Sequence, residues 1–86
     1  MSALLHPCPC CGYLTMSHSL GGSFEICPVC RWEDDDVQRA EPNFSGGANK
    51  ESLNEARENY KKIGASGPDK VNRVRPPLPE EIPPAK

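Results

Sequence analysis

Long apolar runs are missing from this 86-residue chain, and aromatic side chains are scarce. Hydrophobic residues make up 36%, and the aromatics are Tyr13, Phe24, Trp32, Phe44 and Tyr60 alone. No stretch approaches the ~20 apolar residues that a membrane helix needs. The opening "MSALLHPCPC" has neither a basic leader nor an apolar segment of signal-peptide length. The chain is therefore expected in the cytoplasm, away from membranes. Two histidines and no nucleophile motif leave no evident catalytic machinery, so a non-enzymatic role is expected.

A large excess of one charge is also absent. The formal net charge is −2, and four cysteine thiolates around one divalent ion would make the chain more acidic. Such a protein is a poor general binder of nucleic acid. The charge is uneven, with six acids and two bases in residues 1–49 against six acids and eight bases in 50–86. A chain this short buries only ~60% of its unfolded surface, which leaves a core marginal without further support.

That support is cysteine. Five are present, an odd number that speaks against a paired disulfide framework, and a reducing cytosol favours metal thiolates. Cys8-Pro9-Cys10-Cys11-Gly12 is followed, after fifteen residues, by Cys27-Pro28-Val29-Cys30. Read as C-x2-C-x15-C-x2-C, this is the spacing of a four-cysteine zinc site. In a C-P-x-C-G knuckle proline presets the turn, backbone N–H groups point at sulfur, and glycine, here Gly12, permits positive φ after the second ligand.

The ligands read from this pattern are Cys8, Cys11, Cys27 and Cys30, with Cys10 at the knuckle tip, facing outward and accessible. Competing sets exchange Cys8 or Cys11 for Cys10, or recruit His6 or His18. A closed tetrahedral quartet marks a structural site holding one Zn2+, with Fe as the alternative, since paired knuckles of this kind also hold iron in rubredoxins. Structural zinc supplies ~10–16 kcal/mol in small modules, as much as the whole stability of an ordinary domain.

Between the knuckles, "YLTMSHSLGGSFEI" alternates in the manner of a β-hairpin, with Gly21-Gly22 at the turn. Leu53, Ala56, Tyr60 and Ile63 form a helical stripe over 50–64. Ser52 and Glu55 fit a capping box and Gly64 a stop. The fold class expected is a small metal-stabilised α+β protein. It is a zinc ribbon, two C-P-x-C knuckles on a β-hairpin, with one packed α-helix and a proline-rich C-terminal strap. Residues 1–64 would form the domain. Residues 65–86 would be an extended or partly docked tail, touching the body through Val71, Val74, Leu78 and Ile82.

Trp32 is expected to pack over the ribbon against Leu53 and Tyr60, the alternative being an exposed anchor for a partner. Glu33, Asp34, Asp35 and Asp36 read as a solvated face, an acidic docking surface or a Mg2+ site. The glycines of "SGGAN" serve a sharp entry into the helix or the close approach of a partner's backbone.

"CPCCGYLTM", "FEICPVCRWEDDDVQ" and "GGANKESLNEARENY" together resemble the bacterial cysteine-rich CPCC family over roughly residues 7–64. The resemblance implies a small cytoplasmic metal-binding protein. It marks Cys8, Cys10, Cys11, Cys27 and Cys30 as motif cysteines and assigns no catalytic residue.

The role expected is a zinc-binding protein-interaction module that neutralises or adapts a basic protein partner, a nuclease toxin for example. Trp32 and residues 33–36 would be its contact surface. The alternatives are a rubredoxin-like electron carrier and a nucleic-acid-binding ribbon using the basic C-terminal half.

Overall fold

Two short hairpins carry the cysteines, and the computed structural model describes residues 5–17 and 24–83. In the first hairpin β1 (His6–Pro7) runs antiparallel to β2 (Leu14–Met16), with an irregularity between the pairs His6–Met16 and Pro7–Leu14. In the second, Ile26 bridges Glu33, while Phe24 N donates to Asp34 O and Asp34 N to Glu25 O. Each hairpin turns through one C-P-x-C knuckle, and the two knuckles share a hydrogen-bond pattern. Cys8 N donates to Tyr13 O and Gly12 N to Cys8 O; Cys27 N donates to Trp32 O and Arg31 N to Cys27 O.

This pairing differs from a single hairpin over 13–26. A knuckle reverses the chain, so the residues flanking it are antiparallel neighbours already. Between the two hairpins, Ser17 N and Oγ donate to the Glu25 carboxylate, which ties the first to the second. The Gly21-Gly22 turn lies outside the described residues, as does His18.

The acidic stretch after Trp32 forms a helix that the sequence pattern did not suggest. α1 (Asp36–Ala40) is capped by Asp35, whose Oδ1 accepts from Val37 N and Gln38 N. α2 (Leu53–Ile63) has the expected capping box: Glu55 N donates to Ser52 Oγ at 3.1 Å and Ser52 N to Glu55 Oε1 at 2.8 Å. Gly64 ends it with φ +74°. Leu53 and Ala56 are buried and Tyr60 partly so, but Ile63 is exposed.

The core gathers Trp32, Met16, Leu53, Val29 and Ala56 around Cys8, Cys10, Cys27 and Cys30, with Tyr13 packed edge-on to Tyr60 at 6.4 Å between ring centroids. Full burial of a side chain such as Leu53 or Met16 contributes about 1.5–3 kcal/mol. Two further bonds fasten the surroundings of α2 to the knuckles. Arg57 Nε donates to Pro9 O, and Ser66 N donates to Cys30 O, each at 2.8 Å.

The C-terminal segment folds back through two 3-10 turns, Pro68–Lys70 and Pro79–Glu81, the second packing on β2. It does not dock through its larger apolar residues: Val71, Leu78 and Ile82 are exposed, and Val74 is half-buried. Glu81 is the buried group there. It accepts from both ends of the Arg75 guanidinium at 2.8 and 2.9 Å and from Leu78 N at 2.8 Å. Proline removes backbone donors, so a polar clamp holds this segment where ladder bonds cannot. The radius of gyration, 12.1 Å, matches the ~12 Å of a compact chain of this length.

Candidate metal centre

The equivalent turns bring four thiols to one point. The Sγ atoms of Cys8, Cys11, Cys27 and Cys30 all lie within 4.8 Å of one another. Cys8 and Cys30 stand 3.6 Å apart, and Cys11 and Cys27 3.7 Å. Sulfurs about 2.3 Å from a tetrahedral ion stand about 3.8 Å apart, whereas a disulfide needs about 2.05 Å. The spacing is that of ligands. Both of these contacts join one knuckle to the other, so a metal here would tie the two hairpins together.

Thr15 Oγ1 donates to Cys27 Sγ at 3.1 Å, a bond that favours thiolate and orients it. Hydrogen bonds from Cys11, then Cys30 and Cys8, hold the Cys27 thiol well below its ordinary range, with Thr15 adding to the effect. Cys8 and Cys11 are pushed far up, first by their thiol neighbours and then by burial. Cys30 moves up too, the Cys10 thiol beside it being the leading cause. Four sulfurs this close, three of them buried, can all ionise only around a cation. The donor set fits a metal that takes four thiolates. Burial, followed by the nearby Cys11, also raises the Tyr60 phenol.

Among the described residues this is the cluster of metal-ligating side chains that forms, and neither Cys10 nor His6 belongs to it. Cys10 does not face outward. It is 8% exposed and sits in the core at the place Val29 takes in the second knuckle. Both x positions point inward because the other side of each turn is occupied by its two ligands. The apolar Val29 was the signal in the sequence, one knuckle away from the residue in question.

Trp32 and the acidic run are placed inside as well. Trp32 is fully buried, so it cannot serve as an exposed anchor. Asp34 and Asp35 are buried, Glu33 is half-buried, and only Asp36 of the four carboxylates is exposed. The run therefore presents no continuous acidic surface, and its carboxylates do not converge into a cation site.

A polar network explains this. Asp35 accepts at Oδ2 from Ala48 N at 2.9 Å as well as from the first turn of α1. These amides, Ala48 first and then Gln38 and Val37, hold its carboxyl below the usual range against the opposing effect of burial. Gln38, fully buried, donates through Nε2 to the carbonyls of Phe44, Asn49 and Glu51, and accepts at Oε1 from Asn49 N and Nδ2. Asn49 completes the network against the backbone of Glu33, donating to its carbonyl at 2.7 Å and accepting from its amide at 2.8 Å. Gly47 permits the approach: a Cβ there would come 2.7 Å from Asp35 Oδ2. Gly47 of "SGGAN" thus serves close contact within the chain, and Gly46, with φ +84° and open space around it, serves a turn.

The family model described as Cysteine-rich CPCC matches residues 6–81. No curated protein matches the chain. Among the described residues no helix is long and apolar enough to cross a membrane.

Proposed function

The chain belongs to the cysteine-rich CPCC family, and with the sulfur geometry as the second premise we propose that it is a non-enzymatic, zinc-stabilised module that binds a protein partner. The observation that carries the reading is the interlocked quartet of Cys8, Cys11, Cys27 and Cys30, three of them buried. Four protein ligands fill a tetrahedral ion and leave no position for substrate, which suits a structural role. The two knuckle hairpins fastened by one ion would act as a zinc ribbon, with zinc as the ion that needs no redox partner. The metal would supply fold stability, and Thr15 would hold the Cys27 thiolate in place.

With most of the 33–36 run taken up in folding, the acidic feature left for a basic partner is a groove of about 630 Å³ beside α2. Glu51, Glu55 and Glu58 line it. Lys50 lines it too and Lys70 pairs with Glu51, so Glu55 and Glu58 would carry the attraction, which acts on association rate more than on intrinsic affinity.

Native mass spectrometry of the complex purified from cells tests both parts. One zinc per chain together with a basic protein supports the reading. Iron absorbance with a reversible redox couple replaces it with an electron carrier, and co-purifying nucleic acid replaces it with a nucleic-acid-binding ribbon.

A further inference from the structure

Gly12 and Arg31 hold the same position in the two knuckles, and both have positive φ, +82° and +71°. A glycine adopts this conformation freely, whereas for an L side chain it is strained. The second knuckle therefore retains an arginine where the turn itself favours glycine. Strain kept at a particular side chain points to a use for that side chain.

The Arg31 side chain lines a cavity of about 180 Å³ with Ile26, Glu33, Asn49, Lys70 and Arg73. The chain has five arginines. Arg57 and Arg75 donate to partners in the fold, and Arg39 is engaged as well. Among the described residues, the guanidiniums of Arg31 and Arg73 have no hydrogen bond or ion pair, and both line this cavity. The third cation, Lys70, stands 3.5 Å from Glu51, and Glu33 contributes one carboxylate to the wall. With Glu51 counted, these five charged groups carry a net +1. Two unpaired guanidiniums around one small cavity repel each other and gain nothing from folding alone.

We propose that Arg31, Lys70 and Arg73 form a binding site for the phosphate group of a small phosphomonoester. Guanidinium forks match the oxygens of a phosphate, and each of the two that line this cavity offers bidentate recognition that a lysine cannot reproduce. The volume lies below the ~300–1,000 Å³ of pockets that enclose drug-sized ligands, so it suits the phosphate group and a short attachment. Ile26, 46% exposed, supplies an apolar wall for that attachment. The site is separate from the sulfur cluster, although Arg31 directly follows Cys30.

The test uses the metal-loaded full chain in 150 mM NaCl, a salt level that suppresses loose ion pairing. Calorimetric titration is made with inorganic phosphate, glycerol phosphate and a phosphoserine peptide, and with acetate as control. Saturable binding of inorganic and glycerol phosphate but not acetate is expected. Arg73→Ala, on the exposed segment, should weaken it at least roughly tenfold while leaving melting unchanged. Arg31→Gly should have opposite effects on the two readouts: it melts higher than the parent without ligand, because the turn is relieved, and it loses phosphate binding.

No phosphate binding by the parent chain, or equal binding by Arg31→Gly and Arg73→Ala, overturns the proposal. So does an Arg31→Gly protein that melts lower, since Arg31 would then be serving the fold. Tighter capture of the phosphoserine peptide than of glycerol phosphate overturns the assignment to a small molecule.

Discussion

Cys10 and Val29 are the same residue of two equivalent turns, and both point into the core rather than toward solvent. The extra thiol of the triple-cysteine run therefore acts as a small apolar side chain next to the four clustered sulfurs, and its neighbour Cys30 feels it directly.

Replacing it by the residue its counterpart carries tests this. Cys10→Val should keep full metal content and change stability by less than about 1.5 kcal/mol, as volume-conserving apolar exchanges do. Cys10→Asp should be strongly destabilising, because it buries a carboxylate beside thiolates. Alkylation of the metal-loaded native protein should add no label at Cys10, and labelling should appear only after unfolding. Rapid native labelling would show that the turn presents this thiol outward.

Serine at Cys8, Cys11, Cys27 or Cys30 should abolish stoichiometric metal binding and the cooperative melt. Thr15→Val should leave the metal in place but weaken it, by about 10–100-fold for a lost outer hydrogen bond. Competition with a chromophoric chelator measures both. Metal affinity should also fall as pH is lowered, since each ligand must shed its proton to bind. Wild-type metal affinity in the Thr15→Val protein would remove Thr15 from the site's support.

Gln38→Leu tests the buried network without changing side-chain size much. It leaves the Asn49 amide and side-chain donors and three carbonyls without their partner. At about 1–3 kcal/mol for each unsatisfied group, the loss should exceed 3 kcal/mol in denaturant unfolding. Gly47→Ala should be destabilising for a steric reason, at the same place.

Asp35 gives that network a pH signature. Its carboxyl is held down in the folded state by the Ala48, Gln38 and Val37 amides, so its contribution is complete above the unfolded value of about 3.9. It is lost as pH falls through the lower folded value. Asp35→Asn should therefore be less stable than the parent at pH 7, and the gap between the two should close in acid. A gap that stays constant down to pH 3 would mean the charge of Asp35 does not matter.

Much of this fold could be read from local pattern. Ser52, Glu55 and Gly64 mark the ends of α2 because capping is settled within four residues. The two knuckles could be read for the same reason, since each turn closes on itself. Asp34 and Asp35 could not. Whether a carboxylate is buried depends on which amides reach it, and Ala48 reaches Asp35 from thirteen residues away. Four acids in a row look solvated until the loop that covers them is known. The inward direction of Cys10 lies between these cases, legible only when the two knuckles are compared position by position.

The bond from Ser66 N to Cys30 O has a consequence for the order in which the chain folds. α2 has eleven residues, fewer than the ~12–15 at which an isolated helix becomes even marginally stable in water. It must be held by what it lies against, and that is the pair of knuckles, through Arg57 at one and Ser66 beyond its end at the other. Each knuckle closes on itself through backbone bonds, and the two meet where their sulfurs are gathered. Helix formation and closure of the sulfur cluster are therefore expected together, and adding metal to the metal-free chain should raise the far-ultraviolet dichroism of α2 from a site that contains no helical residue.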